Sequence, residues 1–173
     1  MSGLGGTGQM YGMVLLDTKG APCSPFIGWQ DRRCHEQLPG GQTYISRIMD
    51  VGDDGFAKTG CRPATGYMAS ALFWLAQNDV LPANTSACFA PDYLVSQLCE
   101  NRAVTDATNA AGAGVFNLIE KSLDSRGGGG AGTSIGTSAR SETFVRESRS
   151  NHCGCFSTDW LTFGLTGTRR LWR

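Results

Sequence analysis

The feature of this sequence that most constrains its fold is a helix, a strand and a second helix that follow one another in the middle of the chain. Residues 67–77 carry apolar side chains at helical spacing, at Met68, Ala71, Leu72 and Leu75. Residues 86–90 have the length and composition of a buried strand, and Pro91 stands where the first turn of a helix tolerates proline. Strands that alternate with helices predict an α/β fold.

The first forty residues predict a β-hairpin. Residues 13–17 form an apolar run of strand length, residues 18–22 contain turn-forming Gly and Pro, and a second strand is expected near residues 25–29. Residues 31–38 predict a short helix that Pro39 ends. The pattern of residues 44–49 fits a helix and a strand equally well.

Three further segments complete the predicted first part of the chain. On the second helix, Leu94, Val95 and Leu98 predict an apolar face. Residues 105–109 are dense in the small polar side chains that stabilise turns. Residues 115–118 predict a last short strand.

Overall composition does not favour nucleic acid or a membrane as a partner. Fifteen basic residues balance fifteen acidic ones, so the total charge favours neither nucleic acid nor anionic lipid. No apolar run approaches the roughly 20 residues of a membrane span, and the first residues lack the pattern of a signal peptide. Seven scattered cysteines fit free thiols in a reducing compartment. We therefore expect a cytoplasmic protein.

The balanced charge conceals two unlike parts. Residues 1–118 carry 7 basic and 10 acidic side chains, whereas residues 119–173 carry 8 basic and 5 acidic ones. Residues 122–150 are mostly Gly, Ser, Thr and Arg, which bury too little apolar surface to offset the entropy of ordering. The sequence therefore predicts a folded part over 1–118 and a disordered tail over 119–173.

Residues 28–34 combine one large aromatic ring with an amide, a carboxylate and two guanidinium groups. A ring beside hydrogen-bonding groups suits a small polyol, because the ring stacks on C–H faces while the polar groups bind hydroxyls. A tryptophan half-buried under a surface turn, with solvated charges around it, explains the same residues. Residue types alone favour this second interpretation.

Metal and phosphate sites are not expected. His35 stands alone and is predicted to be a surface histidine. His152, Cys153 and Cys155 are close in sequence but have no second ligand cluster, which makes a zinc site a poor interpretation. The glycine run at residues 127–132 lacks the Gly-Lys-Ser/Thr ending of a phosphate-binding loop.

Five segments in order over about a hundred residues resemble the FGGY carbohydrate kinases, and among them the sedoheptulokinase-like members most closely. Each segment alone is a weak signal, but their order is specific. The segments are GQMYGMV at residues 8–14, WQDRRC at 29–34, ATGYMASALFWL at 64–75, PDY at 91–93 followed by Leu98, and TD at 105–106 followed by NAA at 109–111.

The resemblance implies the first, ribonuclease H-like (actin-type) α/β domain of a kinase that transfers the γ-phosphoryl group of ATP, with Mg2+, to a hydroxyl of a ketose such as sedoheptulose. It also implies the residues that contact sugar, which are Gln9, Met10, Tyr11, Trp29 and Asp31. Tyr11 stands where relatives commonly have His, a group that titrates near neutrality. Arg33 matches the family arginine, and Arg32 replaces a glycine. The resemblance gives Thr105 and Asp106 a structural role, in which they tie a loop to the core.

Other parts of the family pattern are not found in this sequence. Neither the D-x-G-T-T/S phosphate loop nor the G-D-Q/N-x-A-A segment that carries the catalytic aspartate is recognisable, and resemblance stops near Leu118. We therefore expect a truncated first domain that contains no catalytic residue and is inactive alone, with the missing kinase parts encoded nearby. A non-catalytic sugar-binding module and a gene remnant that does not fold stably stay open as alternatives.

Overall fold

The computed structural model describes residues 7–52, 57–100, 105–119, 122–123 and 163–165 of the chain. A single turn of 3-10 helix spans Arg33–His35. The strands and helices, in chain order, are β1 (Met13–Leu16), α1 (Tyr44–Gly52), α2 (Met68–Gln77), β2 (Thr85–Phe89), α3 (Ala90–Cys99), α4 (Ala107–Ala111), β3 (Phe116–Asn117), β4 (Ser122–Leu123) and β5 (Phe163–Leu165). The predicted mixture of strands and helices is confirmed.

Strands β1 and β2 form the centre of the described fold. They pair antiparallel, with Met13 opposite Phe89 and Leu16 opposite Ser86, and β5 pairs antiparallel with the other edge of β2. Strands β3 and β4 form a separate two-stranded sheet. All four residues of β1 are buried, which agrees with its uninterrupted apolar sequence.

The two faces of β1 and β2 belong to different apolar clusters, because successive side chains of a strand point to opposite faces. The larger cluster joins strand residues to α2, α4 and β3; its buried members include Met13, Leu15, Phe89, Met68, Ala71, Leu75, Ala110 and Phe116. On the opposite face, Val14, Leu16 and Cys88 pack with Tyr93 of α3. The predicted helix face of α2 is therefore confirmed as core.

The second strand of the predicted hairpin does not form. Residues 22–27 return beside β1, but they pair with it only at two isolated bridges, Leu16 to Pro22 and Met13 to Ile27. Proline has no N–H for a ladder, and Ser24 instead accepts the Leu15 N–H with its hydroxyl at 2.9 Å. Proline in the returning segment thus explains why the sequence pattern overestimated its strand content.

The helix predicted over residues 31–38 is reduced to the turn at Arg33–His35, whereas residues 44–49, which fitted helix and strand equally, belong to α1. Helix α3 forms where it was expected, but its apolar face is exposed: Leu94 and Leu98 are 54% and 57% exposed. Its buried residues are Asp92 and Ser96 instead. The expectation that apolar periodicity marks the buried face holds for α2 and is wrong for α3.

Most of the segment predicted to be a disordered tail lies outside the described residues, including His152, Cys153 and Cys155. The structure describes Ile119 and the strands β4 and β5 from this segment, and the division at residue 118 stays a prediction. Within the described ranges, no helix is both long enough and apolar enough to cross a membrane.

Candidate functional site

A tight turn after Gly28 holds the carboxylate of Asp31 against Arg33. The Asp31 N–H donates to the Gly28 carbonyl at 3.0 Å. Arg33 then donates three hydrogen bonds to the carboxylate: its backbone N–H and its Nε reach Oδ1 at 3.0 and 2.8 Å, and its Nη2 reaches Oδ2 at 2.8 Å. This bidentate geometry fixes the direction of the Asp31 side chain.

The same contacts keep Asp31 ionised. Burial on its own would raise the pKa of Asp31, but the side-chain and backbone hydrogen bonds from Arg33 outweigh it and lower the pKa below its ordinary value. Oδ1 accepts two of the three hydrogen bonds, whereas Oδ2 accepts one from the described part of the chain. Oδ2 therefore keeps the greater capacity to accept a hydrogen bond from a ligand hydroxyl.

The loop that precedes α2 packs directly on this turn. Thr65 Oγ1 donates to the Asp31 carbonyl at 2.7 Å. Gly66 has a φ of +84°, and a Cβ at this position would lie 2.1 Å from the carbonyl oxygen of Trp29. Only glycine permits this approach, since a side chain would displace the Trp29 backbone. The A-T-G segment thus positions Trp29 and Asp31.

Gln9 lies beside the same turn. A Cβ added to Gly28 would lie 3.2 Å from Gln9 Oε1, and one added to Gly12 would lie 2.9 Å from it. The Phe26 ring also approaches Gly12 and Gly28. The amide of Gln9 is therefore next to the backbone that carries Trp29.

The indole of Trp29 is 52% exposed, and Met10 and Phe26 are also about half exposed. Trp29 and Asp31 belong to one turn, and the Gln9 amide lies against its first residue. An aromatic ring, an amide and a fixed carboxylate can together stack on C–H groups and bind hydroxyls. Of the five residues predicted to contact sugar, Gln9, Trp29 and Asp31 are brought together here.

Tyr11 has a different environment. Its backbone has a φ of +64°, and its ring stacks on Tyr67 with 4.7 Å between centroids and 17° between planes. Gly112 and Gly114 lie against this pair, because a Cβ on either would come within 2.9 Å of the Tyr11 ring or 3.1 Å of the Tyr67 ring. Burial, with a smaller contribution from Tyr11, raises the pKa of Tyr67. The Tyr11 ring therefore packs against the Tyr67 ring.

A second carboxylate, Asp92, is buried in the first turn of α3. Its Oδ1 accepts a hydrogen bond from Asn109 Nδ2 at 3.2 Å, and its Oδ2 has no partner of normal geometry among the described residues. Burial raises the pKa of Asp92 to about 6, although the side chains of Thr105 and Asn109 offset part of that effect. Asp92 was not predicted as a site residue, because apolar periodicity assigned the opposite face of α3 to the core.

Asp106 caps the short helix α4, as a structural role predicts. Its carboxylate accepts hydrogen bonds from the N–H groups of Thr108 at 2.7 Å and Asn109 at 3.1 Å. These contacts satisfy two N–H groups of the first turn. The cap places Asn109 where its side chain reaches Asp92.

The structure adds Trp74 and Glu36 to the surroundings of Asp31, and sequence reasoning missed both. Trp74 packs against the larger apolar cluster, and in addition the Arg33 guanidinium lies 4.9 Å from its ring centroid and its Nε1 donates to Glu36 Oε2 at 2.9 Å. Contacts between residues nearly forty positions apart leave no local pattern in the sequence. No group of three or more His, Cys, Asp or Glu that could hold a metal occurs within the described ranges.

Comparison with known proteins gives a family match and two relatives. The model of the FGGY family of carbohydrate kinases, N-terminal domain, matches residues 1–126. The chain is similar to a xylulose kinase of Streptomyces rubiginosus (31% identical over 111 residues, 62% of this chain and 22% of the relative). It is also similar to a xylulose kinase of Haemophilus influenzae (29% identical over 130 residues, 70% of this chain and 24% of the relative).

The matched stretches thus span less than a quarter of the length of each relative. An FGGY N-terminal domain implies an actin-like ATPase fold, and the mixed α/β architecture with its small sheet agrees with it. The family match includes the turn at Gly28 and every residue of the site. The chain belongs to the FGGY family of carbohydrate kinases and corresponds to their N-terminal domain.

Proposed function

We propose that this chain supplies one wall of the sugar site of a ketose kinase. The observation that carries the proposal is the Asp31 carboxylate, fixed by Arg33 on a turn whose Trp29 ring is half exposed. A carboxylate in a fixed direction can accept a hydrogen bond from one particular hydroxyl, and a ring beside it can stack on the carbon chain. Together they favour a polyhydroxylated ligand.

Each polar group of the wall has a distinct part in sugar binding. Asp31 Oδ2 accepts from a hydroxyl, and the Gln9 amide donates to one hydroxyl and accepts from its neighbour. Sedoheptulose and xylulose are the candidate substrates. Sedoheptulose follows from the resemblance of the motifs, and xylulose follows from the names of the two relatives.

The same contacts argue that Asp31 is an acceptor and not the base that removes the hydroxyl proton. A general base works best when its pKa lies near the operating pH, and the Arg33 hydrogen bonds lower the pKa of Asp31. Asp92 has a pKa nearer neutrality, but it is only 7% exposed and bonded to Asn109. We therefore propose that the chain alone binds a ketose without phosphorylating it.

ATP and Mg2+ would act in the complete kinase. Within the described ranges, no group of three or more carboxylates, histidines or cysteines could hold a metal ion. The chain would also be located in the cytoplasm, where its sugar and ATP are found. The residues that bind ATP and Mg2+ would belong to the other parts of such a kinase.

Titration of the purified chain with D-xylulose and sedoheptulose tests the proposal. Calorimetry and tryptophan fluorescence should show saturable binding with a dissociation constant on the order of millimolar, because one wall buries only part of a small ligand. Sucrose at the same concentrations is the control for solvent effects. The Q9A and D31N variants should each weaken binding. Absence of saturation in a chain with a cooperative thermal transition would contradict the proposal.

A coupled assay for ADP release, with Mg2+, ATP and ketose, tests the second half of the proposal. We expect no turnover above the ketose-free background. Sustained phosphorylation of either ketose by the purified chain would show that a complete active site is present and would refute the assignment of a binding wall alone.

The exposed apolar face of α3 favours a second candidate, a chain that does not fold stably by itself. Leu94, Val95 and Leu98 present a contiguous apolar surface that the described residues leave in contact with water. Thermal unfolding followed by circular dichroism distinguishes the two candidates. A cooperative transition supports a stable binding module, whereas a gradual change without a midpoint supports the unstable chain.

A further inference from the structure

We propose that Trp74 and Glu36 are positioning residues of the sugar site, which hold Arg33 in the one orientation that aims the Asp31 carboxylate. The inference rests on the proposed function, since it assigns Asp31 to a ketose hydroxyl. It extends the site from the loop after Gly28 to the middle of helix α2, where neither residue was expected to act in recognition.

Three consecutive contacts connect Glu36 to Asp31. Glu36 Oε2 accepts a hydrogen bond from Trp74 Nε1 at 2.9 Å. The Trp74 ring faces the Arg33 guanidinium, whose Cζ lies 4.9 Å from the ring centroid. The guanidinium donates to both oxygens of Asp31 at 2.8 Å each.

The guanidinium uses different parts of its surface for its two partners. The guanidinium carbon lies over the indole ring, which attracts a cation, while Nε and Nη2 form the fork on the carboxylate. Arginine has many side-chain conformations, and the fork forms in few of them. The ring therefore selects the conformations from which Arg33 can reach both oxygens.

Glu36 has a separate task, which is to fix the rotation of the ring. Trp74 is only partly buried, so packing alone leaves its orientation incompletely determined. The hydrogen bond from Nε1 to Glu36 favours the orientation in which the flat face of the indole meets Arg33. A glutamine can accept the same hydrogen bond through its amide oxygen, whereas an alanine cannot.

Helix α2 and the loop before it thus hold Asp31 from two sides. Thr65 binds the Asp31 carbonyl at 2.7 Å, and Trp74, two turns into the helix, supports Arg33. A site residue supported from a regular element keeps its direction better than one on a loop alone. Oδ2 then presents its remaining acceptor capacity in a fixed direction, which discriminates between sugars that differ in the configuration of one hydroxyl.

The test measures two quantities in the full 173-residue chain. The first is the pKa of Asp31 from carbon-13 NMR of its carboxyl group, which requires no sugar. The second is the dissociation constant for D-xylulose from calorimetry. If the wild type binds no ketose, the proposed function fails, but the NMR titration still decides whether Trp74 and Glu36 govern Arg33 and Asp31.

In W74L the ring is lost, and we expect the pKa of Asp31 to rise toward its ordinary value and ketose affinity to fall by about threefold to tenfold. E36A should raise the pKa of Asp31 and weaken ketose binding by smaller amounts. E36Q should keep both the pKa and the affinity at their wild-type values. In the D31N background, W74L should cause no further loss of affinity, because its effect acts through Asp31.

Several outcomes would overturn the inference. W74L with an unchanged pKa of Asp31 is one, and equal losses from W74L in the wild-type and D31N backgrounds is another. If W74L lacks a cooperative thermal transition, E36A and W74F decide instead, because both keep an aromatic ring and remove only the hydrogen bond. An unchanged pKa of Asp31 in both would equally refute a positioning role.

Discussion

Asp92 and Asn109 join helices α3 and α4 through a single hydrogen bond of 3.2 Å, which leaves the second carboxylate oxygen of Asp92 buried. A neighbouring carboxylate makes a negative charge on Asp92 less favourable still. Asp106 raises the pKa of Asp92 further, and the charge of Asp92 adds to burial in raising the pKa of Cys88 to about 12. The ionised form of Asp92 therefore opposes folding at neutral pH.

The D92N variant should be more stable than the wild type near pH 7.5. The pKa of Asp92 rises from 3.8 in the unfolded chain to about 6 in the fold, so the fold holds the proton more tightly. The stabilisation that the protonated Asp92 carboxyl gives the fold is fully present below pH 3.8, and it is lost as the pH rises through about 6. We expect a gain on the order of 1 to 3 kcal/mol in urea unfolding at pH 7.5 that shrinks toward pH 4.

The D17A variant should show the opposite pH dependence. Asp17 accepts the N–H groups of Lys19 and Ala21 at 2.8 and 2.9 Å in the turn after β1. The hydrogen bonds from Ala21 and then Lys19 lower the pKa of Asp17, so its contribution is present above pH 3.8 and lost as the pH falls below it. The urea midpoint of D17A should be reduced at pH 7 and approach that of the wild type under acid. A deficit that grows under acid would contradict this explanation.

The parts of the fold that sequence reasoning predicted are those with strong apolar patterns. Strands β1 and β2 and helix α2 have long enough apolar runs to specify both their type and their buried residues. Helix α3 shows that apolar periodicity does not always identify the buried face of a helix. Its leucines predict one face as core, yet the buried face contains Asp92, which accepts one hydrogen bond from Asn109, and Ser96, which donates to the Tyr93 carbonyl.

The candidate site divides in a similar way. Gln9, Trp29 and Asp31 followed from motifs, and the structure places them at the turn after Gly28. The fork from Arg33 depends on the local backbone conformation of that turn, whereas the support from Trp74 depends on where α2 packs. A sequence motif specifies neither. The sequence indicates which residues a site contains better than it indicates what holds them.

The G66A variant should damage both stability and the site. Gly66 combines a positive φ with a predicted 2.1 Å contact between a Cβ and the Trp29 carbonyl, so alanine adds a steric clash to backbone strain. G20A is the matched control, because Gly20 has a similar φ of +81° with no atom within 4 Å of a Cβ. In urea unfolding, we expect G20A to lower the free energy of unfolding by about 1 kcal/mol and G66A to lower it clearly more.

Ketose affinity separates these two glycine variants further. G66A should lose the fluorescence response to ketose, because the backbone of Trp29 is displaced, whereas G20A should retain it. Equal losses of stability in the two variants would show that the loop before α2 does not approach Trp29 as closely as the structure describes.

The pH dependence of ketose binding tests the role of Asp31 as an ionised acceptor. Because Arg33 holds the pKa of Asp31 below 3.8, affinity should stay constant from pH 8 to pH 5 and fall only under stronger acid. D31N keeps an acceptor oxygen but replaces the charged acceptor with a weaker one and leaves Arg33 unpaired, so affinity should fall by about tenfold at every pH in that range. Calorimetry with D-xylulose at pH 5, 6.5 and 8 measures the affinity of the wild type and of D31N. A wild-type affinity that declines between pH 8 and pH 6 would instead indicate that a group titrating near neutrality controls binding.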